Sequence, residues 1–307
     1  MHVHTERLLA QRRYRGQRQR PVRRRRVAVG QSGRHSTSVP AQPAGGREEE
    51  SVAEFVHAST ARGVATITLD SQHNRNALSS QLMAELTERL GAAQADDAVR
   101  VIVLTHEGRV FCSGMDLSEA RGGSAAGMGV NALPPILHAI WDSPKPVVAR
   151  VAGPARAGGV GLIGACDIAV AASTATFAFT EVRIGVVPAV ISITVLPRLL
   201  PRSAHELFLT GELFDGDRAA AIGLVNSAVD VADLDAEVGR YVDMLALGAP
   251  GALAATKLML RRARPASMAE DFAAMLALSA EHFAGEEGQE GIAAFTEKRP
   301  ARWVPHS

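Results

Sequence analysis

Val151 to Asp167 read VAGPARAGGVGLIGACD, a glycine-rich stretch entered from an apolar run. This stretch predicts a strand, a tight turn and a short helix, because the apolar run is followed by glycines and then by a segment of helical length. The turn at residues 157–159 would leave backbone N–H groups unpaired at the helix N-terminus, where peptide dipoles favour negative charge. The stretch therefore predicts either an oxyanion site or a place where glycines let a helix pack closely on a sheet.

The composition of the 307 residues is that of a globular protein, with 47% apolar and 21% charged residues. No apolar run reaches the roughly 18 residues of a membrane span, so we expect no membrane association. The two cysteines, Cys112 and Cys166, lie inside apolar or glycine-rich stretches and do not resemble a disulfide framework. This usage favours a reducing compartment, and we expect a cytoplasmic protein.

Charge is distributed unevenly, because residues 1–50 hold 12 arginines and 4 glutamates whereas the rest holds 21 basic and 28 acidic residues. With few bulky apolar side chains, residues 1–50 are predicted to be a disordered, Arg-rich leader. The leader could be a transit peptide, in which case the protein would be mitochondrial, or a basic arm for nucleic acid. It could also be a tail without function or a start codon assigned too early. We favour this last interpretation and expect no nucleic-acid partner, since nothing beyond residue 50 resembles a nucleic-acid-binding module.

Several further elements can be predicted from local patterns. Residues 64–70 and 99–104 have the composition of strands, and Ser79 or Ser80 can cap a helix that follows the first of them. Residues 189–210 have a helical pattern interrupted by prolines. From Val231 onward the pattern is helical throughout, and the apolar faces of these helices need burial against the core or against another subunit.

A second motif, FCSGMDLSEA, occupies residues 111–120. Gly114 permits a sharp turn and Asp116 can cap a short helix, so another exposed backbone amide is predicted here. Residues 121–131 are rich in glycine, alanine and serine, which is typical either of a mobile lid over a ligand or of a loop in solvent.

Glu181 interrupts an otherwise apolar segment, TFAFTEVRI. It is either a loop residue that faces water or an acid whose pKa desolvation would raise toward the range useful for proton transfer. The residue type alone favours the water-facing interpretation, because glutamates are mostly exposed.

Six ordered segments resemble the crotonase superfamily, the enoyl-CoA hydratase and isomerase group, from about Val52 to Trp303. They are VATITLDSQHNRNALS, FCSGMDLSE, VAGPARAGGVGLIGACDIAVAA, TFAFTEVRIGVVP, FDGDRAAAIGLVNSAV and FTEKRPARW. The resemblance implies an α/β fold, with a crotonase-like spiral of ββα units in residues 51–230. It also implies a C-terminal helical trimerisation region in residues 231–307, often assembled as a dimer of trimers.

The same resemblance implies an acyl-CoA site with no metal and no separate cofactor, since coenzyme A is part of the substrate. The backbone N–H groups of Met115 and Gly158 would form the oxyanion hole, and Glu181 matches the second glutamate of the hydratases. The residues implied in CoA binding are Arg75, Ala77, Leu78, Gly114, Asp116, Leu117 and Gly159, with Lys298 of a second copy of the chain as a phosphate contact. Lys298 could equally be a solvated helix end.

The sequence departs from the family pattern at two places. Gly161 stands where the first family glutamate is expected, at the end of A-G-G-x-E, and residues 189–192 read AVIS where many members carry a PGAGG-like turn. The bulkier side chains of 189–192 are expected to reshape the acyl pocket. The resemblance therefore implies an enoyl-CoA hydratase with the single acid Glu181. The alternatives are a Δ3,Δ2-enoyl-CoA isomerase that uses the same glutamate, and a non-catalytic acyl-CoA-binding homologue.

Overall fold

The computed structural model describes residues 53–119, 130–262 and 267–304. The predicted leader over residues 1–50 and residues 121–129 of the predicted lid lie outside these ranges. The strands are β1 (Val56–Ala61), β2 (Val64–Leu69), β3 (Val101–His106), β4 (Val147–Val151), β5 (Ala155–Arg156), β6 (Ile168–Ala172), β7 (Thr176–Ala178), β8 (Phe214–Asp215) and β9 (Ser227–Val229). The helices are α1 (Ser80–Ala95), α2 (Leu133–Trp141), α3 (Gly158–Ala165), α4 (Ala189–Val195), α5 (Pro201–Thr210), α6 (Gly216–Ala221), α7 (Leu234–Ala246), α8 (Pro250–Arg261), α9 (Met268–Ala284) and α10 (Glu286–Glu297).

The main sheet has six strands in the order β1-β2-β3-β4-β6-β9. The edge strand β1 pairs with β2 in antiparallel register, and every other pair is parallel. The central strand β3 is buried along its whole length, which explains its continuous Val, Ile and Leu composition. In β2 the buried residues alternate with less buried ones, because only one of its faces packs against the core.

A smaller sheet, β5-β7-β8, lies beside the main one. Two isolated β-bridges extend this sheet. Cys112 pairs with Ala155 of β5, and Met115, three residues after Cys112, pairs with Leu78. The chain therefore repeats one pattern: a strand of the main sheet, a short strand or bridge of the small layer, then a helix. The repeats are β2 to α1, β3 to α2, β4 to α3 and β6 to α4. This repetition confirms the predicted spiral of ββα units.

The predicted helix signals act as expected. The Ser79 side chain accepts a hydrogen bond from the N–H of Leu82 at 3.3 Å, so Ser79 is the cap of α1. Pro201 begins α5 at a position where the missing N–H of proline costs nothing, which separates α5 from α4 as the interrupted pattern predicts.

The C-terminal helices are tied to the sheet through Asp167, which follows α3. Its Oδ2 atom lies 2.5 Å from Nζ of Lys257 and accepts the N–H of Val147 at 2.8 Å, while its Oδ1 atom lies 2.7 Å from Nη2 of Arg261. Lys257 is only 7% exposed. Because α8 carries both cations, this one carboxylate fixes α8 against the beginning of β4.

None of the described helices is long and apolar enough to cross a bilayer alone. Helices α7 and α8 taken together meet that test of length and composition, but they are bent by 106° where they join.

Candidate active site

The candidate site lies at one edge of the small sheet. Strands β5 and β7 run parallel, with Arg156 paired to Ala178, and the N–H of Ala157 donates to the carbonyl of Ala178 at 3.2 Å. Helix α3 begins directly after β5, and a 3₁₀ turn, Thr180–Ile184, begins shortly after β7. Since the carboxyl ends of parallel strands meet at the same edge, the N-terminus of α3 and Glu181 lie at the same edge.

Met115 reaches this edge from the neighbouring bridge. The N–H of Leu78 donates to Gly114 at 2.8 Å, and the N–H of Asp116 donates to Leu78 at 3.3 Å. Met115 stands between these two bonds, so its own N–H points away from Leu78. Among the described residues, neither the N–H of Met115 nor that of Gly158 has an acceptor. The structure thus leaves both predicted oxyanion-hole donors free.

Close packing explains why α3 begins with two glycines. A Cβ atom on Gly158 would lie 2.6 Å from Cδ1 of Leu78, and one on Gly159 would lie 2.7 Å from Cβ of Cys112. The close-packing interpretation of the glycine stretch is therefore confirmed, whereas the oxyanion site at the amide of Gly158 stays a prediction. Burial raises the pKa of the Cys112 thiol to about 12, so this thiol is protonated and is no nucleophile.

Ala157, the residue before α3, has φ 47° and ψ −117°, a conformation that glycine adopts far more readily than alanine. Such a residue stores strain of about 1–3 kcal/mol, which the surrounding contacts must offset. Those contacts include the hydrogen bond from its N–H to the carbonyl of Ala178 and the hydrogen bonds that its own carbonyl accepts from the N–H groups of Val160 and Gly161. The backbone conformation of Ala157 turns the chain so that helix α3 starts with Gly158 at the sheet edge.

Glu181 is half-buried, and its Oε2 atom is buried without a hydrogen-bond partner among the described residues. Two residues earlier, Phe179 packs against the ring of Phe208 at 4.2 Å between centroids. Desolvation by burial raises the pKa of Glu181 above the ordinary value of a glutamate. The water-facing interpretation is therefore wrong for the Oε2 atom, and residue type alone carries no information about this burial.

An ionised, buried carboxylate without a hydrogen-bond partner should lower the free energy of unfolding. Glu181→Gln removes this charge, so the variant should be more stable than the wild type wherever Glu181 is ionised. Because the pKa of Glu181 is raised in the folded state, the contribution of its protonated form to the free energy of unfolding is complete below the unfolded-state pKa. This contribution is lost as pH rises through the folded-state pKa. We expect the glutamine variant to melt above the wild type at pH 8, by roughly 2–4 °C for a gain of about 1 kcal/mol. The difference should disappear near pH 4, and a wild type that melts higher at pH 8 would contradict the burial argument.

The position of the expected first glutamate is filled from another helix. A Cβ atom on Gly161 would lie 2.6 Å from Cγ2 of Ile191 and 3.1 Å from its Cβ. The hydroxyl of Thr194, one turn further along α4, donates to the carbonyl of Gly161 at 3.0 Å. The two departures from the family pattern, separate in the sequence, are thus in direct contact in the fold.

The residues predicted to bind CoA divide into exposed and buried ones. Arg75 and Leu117 are exposed, and Arg75 has no carboxylate partner within the described ranges, so its cation is available. Ala77 and Leu78 are buried and bond internally, since the N–H of Ala77 donates to Oδ1 of Asn74 and that of Leu78 to Gly114. The contact of CoA with these four residues stays a prediction.

Asp116 holds its own loop. Its Oδ1 atom accepts from the N–H and the hydroxyl of Ser118, at 2.9 and 2.6 Å, and its Oδ2 atom accepts from Asn74 at 3.1 Å. These hydrogen bonds lower the pKa of the Asp116 carboxyl, the hydroxyl of Ser118 most strongly. A turn, and no helix, follows Asp116 in the described residues 117–119. Lys298 is exposed at the end of α10, and its predicted contact with CoA on a second copy stays a prediction.

A cavity of about 600 Å³ lies between α2 and α4. Its lining is mostly apolar and consists of Pro134, Pro135, Leu137, His138, Trp141, Val190, Ile193 and Thr194. Leu133, which begins α2, would lie 3.3 Å from a Cβ on Gly158, so α2 also contacts the start of α3. The sequence drew attention to residues 189–192 through their departure from the family pattern, and in the structure α2 and α4 line the same cavity.

Two negative findings concern the described residues alone. A larger cavity, of about 1010 Å³ between the main sheet and α7, contains none of the predicted site residues. Within residues 53–119, 130–262 and 267–304, no three His, Cys, Asp or Glu side chains converge as metal ligands would.

Comparison with known proteins gives consistent matches. Residues 59–305 match the family described as enoyl-CoA hydratase/isomerase. A Thermus thermophilus protein provisionally assigned as an enoyl-CoA hydratase is 37% identical over 247 residues, 78% of this chain and 97% of the relative. The mitochondrial methylglutaconyl-CoA hydratase of mouse is 31% identical over 79% of this chain and 80% of its own length. The crystal structure of an enoyl-CoA hydratase from Mycobacterium smegmatis matches with a TM-score of 0.75 and 31% identity, over 81% of this chain and 98% of that one.

Proposed function

The chain belongs to the enoyl-CoA hydratase/isomerase family, and from this premise we propose that it adds water across the C2–C3 double bond of an enoyl-CoA thioester. One observation carries the proposal: the buried Oε2 atom of Glu181 lies at the same sheet edge as two backbone amides, and none of the three has a hydrogen-bond partner within the described part of the chain. An acid with a raised pKa beside two amide donors is suited to moving a proton next to a developing oxyanion.

In the proposed reaction Glu181 acts first as a base. It takes a proton from a water molecule, whose oxygen forms the new bond to C3. The electron pair of the C2–C3 double bond moves toward the thioester, and the resulting enolate oxygen accepts hydrogen bonds from the N–H groups of Met115 and Gly158. Glu181 then returns its proton to C2. One molecule of water has been added, and the glutamate is ionised again for the next turnover.

A second candidate is a Δ3,Δ2-enoyl-CoA isomerase, which the contact between Gly161 and Ile191 favours. An apolar methyl group stands where a second acid would begin, and isomerisation needs only one acid. Glu181 would take a proton from C2 of a 3-enoyl-CoA, the same amides would hold the dienolate, and the proton would return to C4 to give the 2-enoyl-CoA.

One assay separates the two reactions. The purified protein is mixed with crotonyl-CoA and, separately, with a 3-enoyl-CoA, and the absorbance of the conjugated thioester is followed. We expect this absorbance to fall with crotonyl-CoA. A rise with the 3-enoyl substrate and no change with crotonyl-CoA would establish the isomerase instead. Binding of both CoA esters without turnover would indicate a non-catalytic homologue.

We also infer that the protein acts as a homo-oligomer, a trimer or a dimer of trimers. Large apolar side chains on the C-terminal helices are more than half exposed in the single chain, including Leu258, Phe272, Leu276 and Phe295. Exposed apolar faces of this extent are typical of interaction sites. A monomeric mass by light scattering at micromolar concentration would contradict the inference.

A further inference from the structure

The two segments that carry the predicted oxyanion-hole donors pair with each other. Cys112 forms a bridge with Ala155, and the carbonyl of Cys112 accepts a hydrogen bond from the N–H of Arg156 at 2.9 Å. Met115 lies three residues after Cys112, and Gly158 lies three residues after Ala155. The position of one segment along the other therefore sets the position of the two donors relative to each other.

His106 contacts both segments at their beginning. It is the last residue of β3 and is only 6% exposed, and its ring packs edge-on against the ring of Phe111 with 5.5 Å between the centroids. Its Nε2 atom accepts a hydrogen bond from the N–H of Ala152 at 3.2 Å, and its Cε1 atom would lie 3.4 Å from a Cβ on Gly153. Phe111 begins the segment that leads to the first donor, and Ala152 begins the segment that leads to the second. A single imidazole ring thus touches both.

The hydrogen bond to Ala152 is one that the backbone does not supply. The parallel pairing of β3 with β4 ends at Leu104 and Ala149, whereas β4 itself continues to Val151. The N–H of Ala152 has no backbone acceptor in the described part of the chain, and the Nε2 atom of His106 accepts it instead. The side chain of His106 therefore joins the ends of the two strands beyond their last paired residues.

Only one form of the imidazole can accept this hydrogen bond. An accepting ring nitrogen carries no hydrogen, so the neutral ring has its hydrogen on Nδ1, which lies 3.4 Å from the carbonyl oxygen of Glu107. Desolvation by burial lowers the pKa of His106 below its ordinary value, and the cation of Arg150 acts in the same direction. The Nε2 atom therefore remains an acceptor at neutral pH.

We propose that His106 is a positioning residue of the predicted oxyanion hole, which holds the N–H of Ala152 on Nε2 while its ring packs against Phe111. It keeps the segment that leads to Gly158 in place against the segment that leads to Met115, and so acts through the backbone. A misplacement of about 1 Å can lower a rate by about 10²-fold, so even a small shift of one donor should be measurable. This proposal rests on the proposed function, because it takes both amides to hold the enolate oxygen.

A matched pair of variants tests the acceptor. His106→Gln and His106→Met have unbranched side chains of similar length, but only glutamine ends in a carbonyl oxygen that can accept the N–H of Ala152. Turnover of crotonyl-CoA is measured per folded protein, which is counted by calorimetric titration with butanoyl-CoA. We expect the methionine variant to lose roughly 10-fold or more in kcat with nearly unchanged affinity for butanoyl-CoA, and the glutamine variant to retain most of the wild-type kcat. Equal kcat in the two variants would overturn the proposal.

A second variant covers a failure of the methionine variant to fold. His106→Phe keeps an aromatic ring for the contact with Phe111 but removes the acceptor. It should show the same loss of kcat, and a wild-type kcat would overturn the proposal. Unfolding of both apolar variants would assign His106 to stability alone and would overturn it as well.

The two proposals fail separately. A wild type that binds butanoyl-CoA but does not hydrate crotonyl-CoA refutes the proposed function. An active wild type whose kcat is unchanged in the phenylalanine variant, or equal in the glutamine and methionine variants, refutes the role of His106 alone.

Discussion

Glu181→Gln is expected to lower the turnover of an enoyl-CoA by roughly 10² or more, with the affinity for a saturated acyl-CoA nearly unchanged. The amide keeps the size of the carboxylate but can neither take a proton from water nor return one to C2. Steady-state kinetics with crotonyl-CoA give the turnover number, and calorimetry with butanoyl-CoA gives the affinity. A loss of affinity in proportion to activity would mean that Glu181 organises the pocket and moves no proton.

Glu212→Gln provides a matched control for this substitution. Glu212 is exposed, and within the described ranges its one hydrogen bond is from its backbone N–H to the Thr210 side chain. The control should retain wild-type turnover. A pH profile adds an independent measurement: because burial raises the pKa of Glu181, wild-type kcat/KM should fall as pH decreases through a value above that of an ordinary glutamate. The residual activity of the glutamine variant should lack this step.

Removing the N–H of Gly158 is expected to lower turnover by roughly 10²–10³, the usual effect of losing one oxyanion-hole donor. Proline at position 158 is a poor way to remove it, because the residue before a proline avoids the ψ of −117° that Ala157 adopts. Replacing Gly158 with glycolic acid by semisynthesis exchanges the amide for an ester, which deletes the N–H and also makes the carbonyl of Ala157 a weaker acceptor. Activity is measured with crotonyl-CoA, and folding is followed by thermal denaturation.

The same ester at Gly216 is the appropriate control. Gly216 also begins a helix, but its N–H donates to the carbonyl of Ser173 at 3.0 Å, away from the site. The Gly216 ester should lower the melting temperature and leave turnover unchanged. The Gly158 ester should lower turnover; its N–H has no partner to lose among the described residues, so any fall in its melting temperature comes from weaker hydrogen bonds of Val160 and Gly161 to the carbonyl of Ala157. Wild-type activity in the Gly158 ester would remove this amide from the oxyanion hole.

The sequence was sufficient for those parts of the fold that have a strong local signal. Strands β2 and β3, the cap at Ser79 and the break before Pro201 each follow from a short pattern. Strand β1 was missed because five of its six residues are exposed, so it has no alternation of polar and apolar residues. The strands of the small sheet have two or three residues each, too few for any periodicity.

For the candidate site, residue types and turns could be predicted, but distances across the chain could not. The glycine stretch predicted free amides at the start of a helix, and the N–H of Gly158 has no acceptor among the residues that the structure describes. The burial of the Oε2 atom of Glu181 arises from the folded arrangement around its turn, and no local pattern reports it. The contact between Gly161 and Ile191 joins helices 30 residues apart, so each residue on its own looked like an isolated departure.

Asp167 has a consequence for any attempt to shorten this protein. A chain that ended before α8 would lack Lys257 and Arg261, and a largely buried anion would remain with only the N–H of Val147 among the contacts described above. A buried carboxylate deprived of its counter-charges typically destabilises a fold by several kcal/mol. Helix α8 therefore supplies the counter-charges of Asp167 in addition to any oligomer contact. We expect a chain shortened before α8 to be too unstable to serve as a minimal enzyme.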